Sequence, residues 1–398
     1  MKQKFGLLPK LIIGIISGIV FGLISGKMEV YQGVRLLSTF SSIFGNFLKF
    51  MIPFIIIGFV APSIAELGKK ASKLLGITAA FAYLSAVFAG IMAYFAGALI
   101  LPKFIKIGEA IVGKEIDVTP FFNIEMPPIV GVMTALVTAF VLGLGMAVLK
   151  EKNLFSVLKD FQHIVTLVVN KVLIPFIPVY ITGIFAKLSA TGKIFGTIKA
   201  FSSVFIMILI LQVIYLLMQY TIARILTGRN QFEAMKNLLP AYFTALGTQS
   251  SAATIPVSLE ASRKNGVDDD IVDFVVPLCA TIHLAGDTIT LVLGAMGIMM
   301  VAGGVPEFGT MLQYILMLGV TMVAAPGIPG GGVYAALGLL ENLLRFDQSQ
   351  QALMIALHFS QDSFGTATNV TGDGAIAIII DYINKKSIAK NKKIGKTA

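Results

Sequence analysis

Eight long apolar runs dominate this chain, and they restrict its fold more than any other feature of the sequence. The runs occupy residues 7–26, 36–62, 73–101, 128–149, 162–190, 195–226, 271–301 and 350–383. Overall, 56% of the residues are hydrophobic, only 13% are charged, and the mean hydropathy is +0.86. A water-soluble domain cannot bury this much apolar surface. The sequence therefore predicts an all-α integral membrane protein in which each run spans the bilayer.

The lysines predict the orientation of these spans. The loops at 63–72 and 150–160 are short and lysine-rich, and alternation places them on the same side as both termini. Six further lysines lie in the basic tail at 385–398. Because lysine favours the cytoplasmic side, we expect a multi-pass protein of the cell membrane with both termini in the cytoplasm. A signal peptide at 11–26 and a nucleic-acid-binding tail are the weaker interpretations, since no cleavage pattern is present and lysines beside spans usually anchor them.

Two apolar segments do not read as simple spans. Residues 244–260 and 324–341 are interrupted by proline and by small residues. Non-helical backbone at membrane depth persists only where protein or a wet cavity surrounds it, so each segment is expected to enter halfway, turn and leave. By the loop count the two open to opposite sides, which indicates an inverted repeat around a transport site. A pair of kinked ordinary spans is the alternative.

Carboxylates inside apolar sequence point to the chemistry of that site. Asp362, Thr366, Asn369 and Asp373 share one face of a helix, and Asp287 adds a further carboxylate. An unpaired Asp at mid-bilayer costs about 2.5–3.5 kcal/mol. No lysine or arginine lies between 265 and 344 or between 346 and 384, so protonation, bound cations or a cationic substrate must compensate the charge. The single Cys279 excludes an intrachain disulfide.

"TIHLAGDTIT" (281–290) raises the same question in a second apolar run. His283 and Asp287 are four residues apart, so on one continuous helix they could form a protonatable pair. Gly286 between them could mark an unwound turn whose carbonyl groups coordinate an ion. A buried histidine that only satisfies core hydrogen bonds is the alternative for His283.

Three ordered motifs resemble one transporter family. "TQSSAATIPVSLE", "GIPGGG" and "DSFGTATNVTGD" are similar to the dicarboxylate/amino acid:cation symporters, the glutamate-transporter family with its bacterial serine/threonine members. The resemblance implies eight spans, two opposed re-entrant hairpins, a homotrimer and an elevator-type transport domain. It divides the chain into scaffold and oligomerisation spans at 1–230 (with about 73–101 in the transport domain), a transport core at 231–384 and the tail at 385–398.

The resemblance also implies site residues. Those expected to bind the substrate are Gln249, Ser250, Ser251, Asp287, Ile328, Pro329, Gly330, Gly332, Asp362, Gly365, Thr366 and Asn369. The residues expected to bind sodium as the coupling ion are Cys279, Thr281, His283, Asn369 and Asp373. Asp362 corresponds to the carboxylate that holds the substrate α-amino group, and Ile328 to Gly332 correspond to the extracellular gate.

Departures from the family pattern concern the substrate and the ions. Gly365 and Gln249 stand where acidic-substrate members place arginines, so a second substrate carboxylate lacks its partner. Ala285 replaces a buried sodium-binding Asp, and Asp287 replaces a substrate-proximal Thr. Asp287 could therefore alter ion coupling or face a basic group on the substrate.

The sequence thus predicts a sodium-driven importer of an amino acid, with a neutral amino acid favoured and without an organic cofactor. A proton-coupled or dicarboxylate transporter of the same fold is the nearest alternative, and a passive channel is the alternative of a different class. An enzyme is not expected, because no metal motif, nucleophile elbow or phosphate loop is present in the sequence.

Overall fold

The computed structural model describes residues 7–69, 73–108, 116–149, 153–322, 325 and 330–394. Within these residues all regular secondary structure is helical and no strand is present, which confirms the predicted all-α class. The helices are α1 (Leu7–Met28), α2 (Gln32–Lys69), α3 (Lys73–Ile100), α4 (Val132–Val148), α5 (Asn153–Val168), α6 (Ile174–Ala190), α7 (Ile194–Thr227), α8 (Gln231–Thr248), α9 (Ser251–Lys264), α10 (Asp269–Ile282), α11 (Ala285–Val301), α12 (Phe308–Met322), α13 (Gly331–Leu344) and α14 (Gln348–Ile394).

Six helical segments of the described chain are long and apolar enough to cross a membrane. They are Pro9–Met28, Gln32–Ala65, Leu74–Lys103, Asn153–Ala190, Ile194–Thr227 and Asp269–Val301. The other two predicted spans, 128–149 and 350–383, fall on the shorter helix α4 and on α14. The chain is therefore a multi-pass membrane protein, and its division into eight spans stays a prediction.

Two predicted spans contain breaks that the sequence pattern did not place. A π-helical turn, Val169–Leu173, joins α5 to α6. The run at 271–301 divides at His283 and Leu284, whose backbone leaves the helical region with ψ of 96° and 50°. The unwound turn thus precedes Gly286, which lies in the first turn of α11.

Both interrupted segments fall on antiparallel helix pairs. In the first, α8 and α9 pack together and are joined by Gln249 and Ser250. In the second, α12 packs against α13. The connection between α12 and α13 includes residues 323–324 and 326–329, which lie outside the described residues.

The helices pack in two groups. The first contains α1, α2, α4, α5 and α6, and the second contains α3 and α7 to α14. The packing therefore puts α7 beside α8, α11 and α14 rather than with the other helices of the first half. Contacts between the groups are fewer and partly polar: Lys49 of α2 pairs with Glu341 of α13. The Gln348 amide donates to Asn46 Oδ1 at 2.5 Å.

Glycines bring α1 into direct backbone contact with α6. A Cβ atom added at Gly18 would lie 2.5 Å from the Thr182 carbonyl oxygen. One added at Gly22 would lie 2.2 Å from the Ala186 carbonyl oxygen. Only a residue without a Cβ fits these positions, as is common where membrane helices pack closely.

Charged side chains fix the far end of α14. Arg229 lies 3.2 Å from buried Asp381, and Lys385 bridges Asp381 and Asp268 at 2.9 and 2.8 Å. The hydrogen bonds to Asp268 and Asp381 raise the pKa of Lys385, which stands beyond the predicted span. These pairs join α14 to the connections that flank α8 and α9.

Candidate functional site: a carboxylate-lined cavity between the hairpins and α14

A cavity of about 450 Å³ lies where the tip of the first hairpin, the start of α13 and the middle of α14 meet. Its lining includes nine of the residues that the sequence nominated, which come from five different helices and the connection at the first tip. They are Gln249, Ser250, Ser251, Thr281, Asp287, Gly332, Asp362, Thr366 and Asn369. The fold thus brings residues from distant parts of the sequence around one partly open cavity that is large enough for a small metabolite.

The stripe on α14 supplies one wall of the cavity. Asp362, Thr366 and Asn369 are almost fully buried within the protein and line the cavity, as the helical spacing predicts. Asp362 Oδ2 accepts a hydrogen bond of 3.1 Å from the backbone N–H of Gly330. This contact ties α14 to the start of α13.

Position 330 requires glycine for two reasons, its backbone conformation and the closeness of the Phe359 ring. Its φ of +73° lies in the left-handed region. A Cβ atom there would lie 2.2 Å from the ring of Phe359. The polypeptide can therefore approach α14 closely at this point only with glycine.

Local hydrogen bonding shapes the tip of the first hairpin. Gln249 adopts φ of 53° and ends α8, and its Nε2 donates to Ser363 Oγ at 2.8 Å. Ser250 is the N-cap of α9, with its Oγ accepting from the Ala253 N–H. The N-terminus of α9, which favours anionic groups, therefore opens on the cavity at Ser251.

Asp287 reaches the cavity from the first turn of α11. Its Oδ1 lies 2.8 Å from His358 Nε2, and its Oδ2 accepts from Asn369 Nδ2 at 2.5 Å. The Oδ1 of Asn369 accepts from the Gly286 N–H at 2.7 Å, so both ends of this amide are engaged. Asp287, His358 and Asp362 offer ligand atoms that all lie within 4.8 Å of one another.

His283 and Asp373 form a second buried pair. His283 Nδ1 lies 2.9 Å from Asp373 Oδ1, and its Nε2 lies 3.1 Å from Ser85 Oγ and 3.4 Å from Tyr215 Oη. Gln219 Nε2 donates to Ser85 Oγ and to Tyr215 Oη at 2.9 and 2.8 Å. The predicted pair of His283 with Asp287 is wrong, because the helix breaks between them and directs the two side chains to different partners.

The remaining nominated residues take varied positions. Cys279 is buried in an apolar cluster with Val272, Val275 and Val276. Thr281 lines the cavity, and its hydroxyl donates to the Leu278 carbonyl oxygen at 2.7 Å. A Cβ atom at Gly365 would lie in ordinary contact with Asp287 Oδ1, at 3.6 Å. Ile328 and Pro329 lie outside the described residues. The individual binding roles stay predictions.

Sequence reasoning missed several partners. Tyr215 and Gln219 lie one turn apart in an apolar helix, and that spacing was a usable signal for a polar face. His358 lies one turn before Asp362 on α14, and this spacing places it on the same helix face. Ser85 offered no signal, since isolated serines are common in apolar helices.

Residues 7–383 match the sodium:dicarboxylate symporter family. The chain belongs to that family. The family is described as one of symporters, which agrees with a chain of apolar helices around a carboxylate-lined cavity.

The chain is also similar to curated relatives. It is 30% identical over 216 residues to "Excitatory amino acid transporter 1" of Homo sapiens, which covers 54% of this chain and 39% of the relative. It is 28% identical over 279 residues to the protein of the same description from Ambystoma tigrinum, covering 66% and 50%. A Caenorhabditis elegans excitatory amino acid transporter is 28% identical over 172 residues, covering 43% and 34%. The chain spans half or less of the length of these relatives.

Proposed function

We propose that the chain is a secondary symporter that couples the import of an amino acid to sodium. One observation carries this proposal: a cavity lined by Asp362, Thr366 and Asn369 lies between the connection of α8 to α9 and the start of α13. A buried carboxylate suits an α-ammonium group, and the N-terminus of α9 at Ser251 suits an α-carboxylate. The names of the similar relatives support an amino acid as the substrate class.

A non-acidic side chain follows from the charges around the cavity. Among the described residues that line it, none is a lysine or an arginine. A second substrate carboxylate would face Asp287 and Asp362 without a cationic partner, which costs free energy in a dry site. A neutral amino acid, as the sequence predicts, is therefore the first class to test.

Coupling would arise from joint occupancy. Sodium prefers carboxylate, amide and carbonyl oxygens, and these groups surround the break between α10 and α11. A cation there would offset the buried negative charge and favour substrate binding, and the substrate would favour the cation to the same extent. In this arrangement His283 already pairs with Asp373 Oδ1, so a sodium ion that uses Asp373 must share the carboxylate with the imidazole or replace it.

An elevator movement is the proposed transport step. Most of the site lies within the second packing group, α3 and α7 to α14, and Phe59, Ser63 and Gln162 of the first group complete the lining of the cavity. In the proposed movement α1, α2, α4, α5 and α6 would form a stationary scaffold and the homotrimer contacts. This assignment moves α7 from the scaffold to the transport part. We further propose that the protein resides in the cell membrane with both termini in the cytoplasm, which reporter fusions at each terminus would test.

Uptake into proteoliposomes tests the proposal. Radiolabelled amino acid should accumulate with an inward sodium gradient and not with an equal potassium gradient. D362N should abolish accumulation, whereas D270N, on exposed surface at the start of α10, should not. Accumulation that ignores sodium, or that persists in D362N, would refute the proposal.

Proton coupling is a second candidate because of one observation. The His283–Asp373 pair is a buried titratable group of the kind that carries protons in transporters. A proton-coupled transporter should accumulate substrate with a pH gradient alone, and H283A should remove that accumulation. Sodium-driven uptake that is insensitive to the pH gradient would exclude this candidate.

A further inference from the structure

The cavity holds more negative charge than one amino group can offset. Asp287 and Asp362 both line it, and their side chains are almost fully buried. A third lining carboxylate, Asp273, is half exposed and already pairs with Arg263. The segments of the second hairpin tip that lie outside the described residues, 323–324 and 326–329, contain no ionisable residue in the sequence. The inner end of the cavity is therefore anionic.

His358 does not fully compensate these carboxylates. Its Nε2 faces Asp287 Oδ1, but its Nδ1 is buried and has no hydrogen-bond partner among the described residues. Nδ1 is unpaired whether or not it carries a proton. Because the ring carries at most one positive charge, it cannot offset both Asp287 and Asp362.

Asp287 retains room for another donor. Each carboxylate oxygen offers two acceptor positions, and His358 and Asn369 each use one. Glycine lies at the neighbouring positions 332 and 365, where a Cβ atom would be 3.0 and 3.6 Å from Asp287 Oδ1. Because Asp287 lines the cavity, a ligand there can reach its remaining acceptor positions.

We propose that Asp287 binds a second ammonium group on the substrate, so that the site accepts diamino acids as well as neutral ones. The inference rests on the proposed function and deepens it. Asp362 would hold the α-ammonium and Asp287 the side-chain ammonium. Because Asn369 Nδ2 is engaged by Asp287, the α-carboxylate would lie at the N-terminus of α9 near Ser251. The two substrate charges then match the two carboxylates.

The direct test is a binding series on the full-length protein in detergent with sodium present. Calorimetry would compare L-alanine, L-2,4-diaminobutanoate, L-ornithine, L-lysine and L-glutamate. We expect at least one diamino acid to bind about tenfold tighter than alanine, and glutamate not to bind. D287N should reduce the affinity for that diamino acid about tenfold more than the affinity for alanine. D270N, which changes an exposed carboxylate outside the cavity lining, should leave the ratio of these two affinities unchanged.

The outcomes separate the two proposals. If alanine binds and no diamino acid binds, this inference fails while the proposed function stands. If no amino acid binds with sodium present, the proposed function fails, and the inference with it. An equal loss of affinity for alanine and for the diamino acid in D287N would also overturn the inference. Asp287 would then bind only the α-ammonium group that both ligands share. If D287N does not fold, G365K supplies the test. The lysine ammonium would lie beside Asp287, so it should weaken the binding of the diamino acid but not the binding of alanine.

Discussion

His283 and Asp373 lie 2.9 Å apart in the core, although 90 positions separate them in the sequence. Each residue is almost fully enclosed: the exposed fractions of their side chains are 0% and 2%. This pair connects the break between α10 and α11 to the middle of α14. It also supplies the partner for a carboxylate that would otherwise be isolated in an apolar environment.

Removing one member of this pair should destabilise the protein strongly. H283A leaves Asp373 buried without its partner, and breaking such a pair costs about 3–5 kcal/mol. The double variant H283A/D373A should recover part of this loss, because no unpaired charge remains. Thermal unfolding in detergent measures the effect, and H163A, outside this pair, serves as the control. A double variant less stable than both single variants would contradict the pairing.

The N-cap of α9 should contribute to substrate binding as well as to helix stability. S250A removes the acceptor of the Ala253 N–H, at a cost of about 1 kcal/mol. The loss should weaken substrate binding, because the helix N-terminus at Ser251 no longer holds its geometry. Calorimetry would detect it, and S250N should restore the affinity because asparagine is an equally good cap. An S250A protein with unchanged affinity would argue against a role of this tip.

Gly330 should not tolerate a side chain. In G330A the left-handed backbone alone costs about 1–2 kcal/mol, and the added methyl group meets the Phe359 ring. The contact with Asp362 would be lost, so substrate affinity should fall about tenfold or more. G309A is the matched control in the same hairpin, because a Cβ atom there meets nothing within 4 Å. Equal affinities of the two variants would be evidence against the predicted gate.

Cross-linking should decide whether the two packing groups move. Cysteines at Asn46 and Gln348, joined by a bifunctional thiol reagent, would connect the groups and should stop uptake. Cysteines at Asn46 and Asn123 should leave uptake intact, because Asn123 lies on the connection that leads into α4 of the first group, 2.9 Å from the Asn46 side chain. The native Cys279 is buried, which limits background labelling. Full uptake by the first cross-linked protein would exclude an elevator movement between these groups.

The sequence predicted the helical class and the face that Asp362, Thr366 and Asn369 share, because helical spacing depends only on local geometry. It did not predict where the run at 271–301 breaks, since the break at His283 depends on contacts with Asp373 and Ser85 that come from distant segments. For the same reason the contact between Asp287 and His358 was not predicted, because it joins residues 71 positions apart in the sequence. The spacing places His358 on the Asp362 face of α14, but it does not predict the direction in which the imidazole ring points.

The direct contact between α1 and α6 limits where motion can occur. Sliding one of these helices along the other would push the backbone at Gly18 and Gly22 past carbonyl oxygens that leave no clearance. The two helices therefore move together as one rigid unit. Displacement is far easier at the boundary of the two packing groups, where water can replace the polar contacts of Lys49 and Gln348 as they separate.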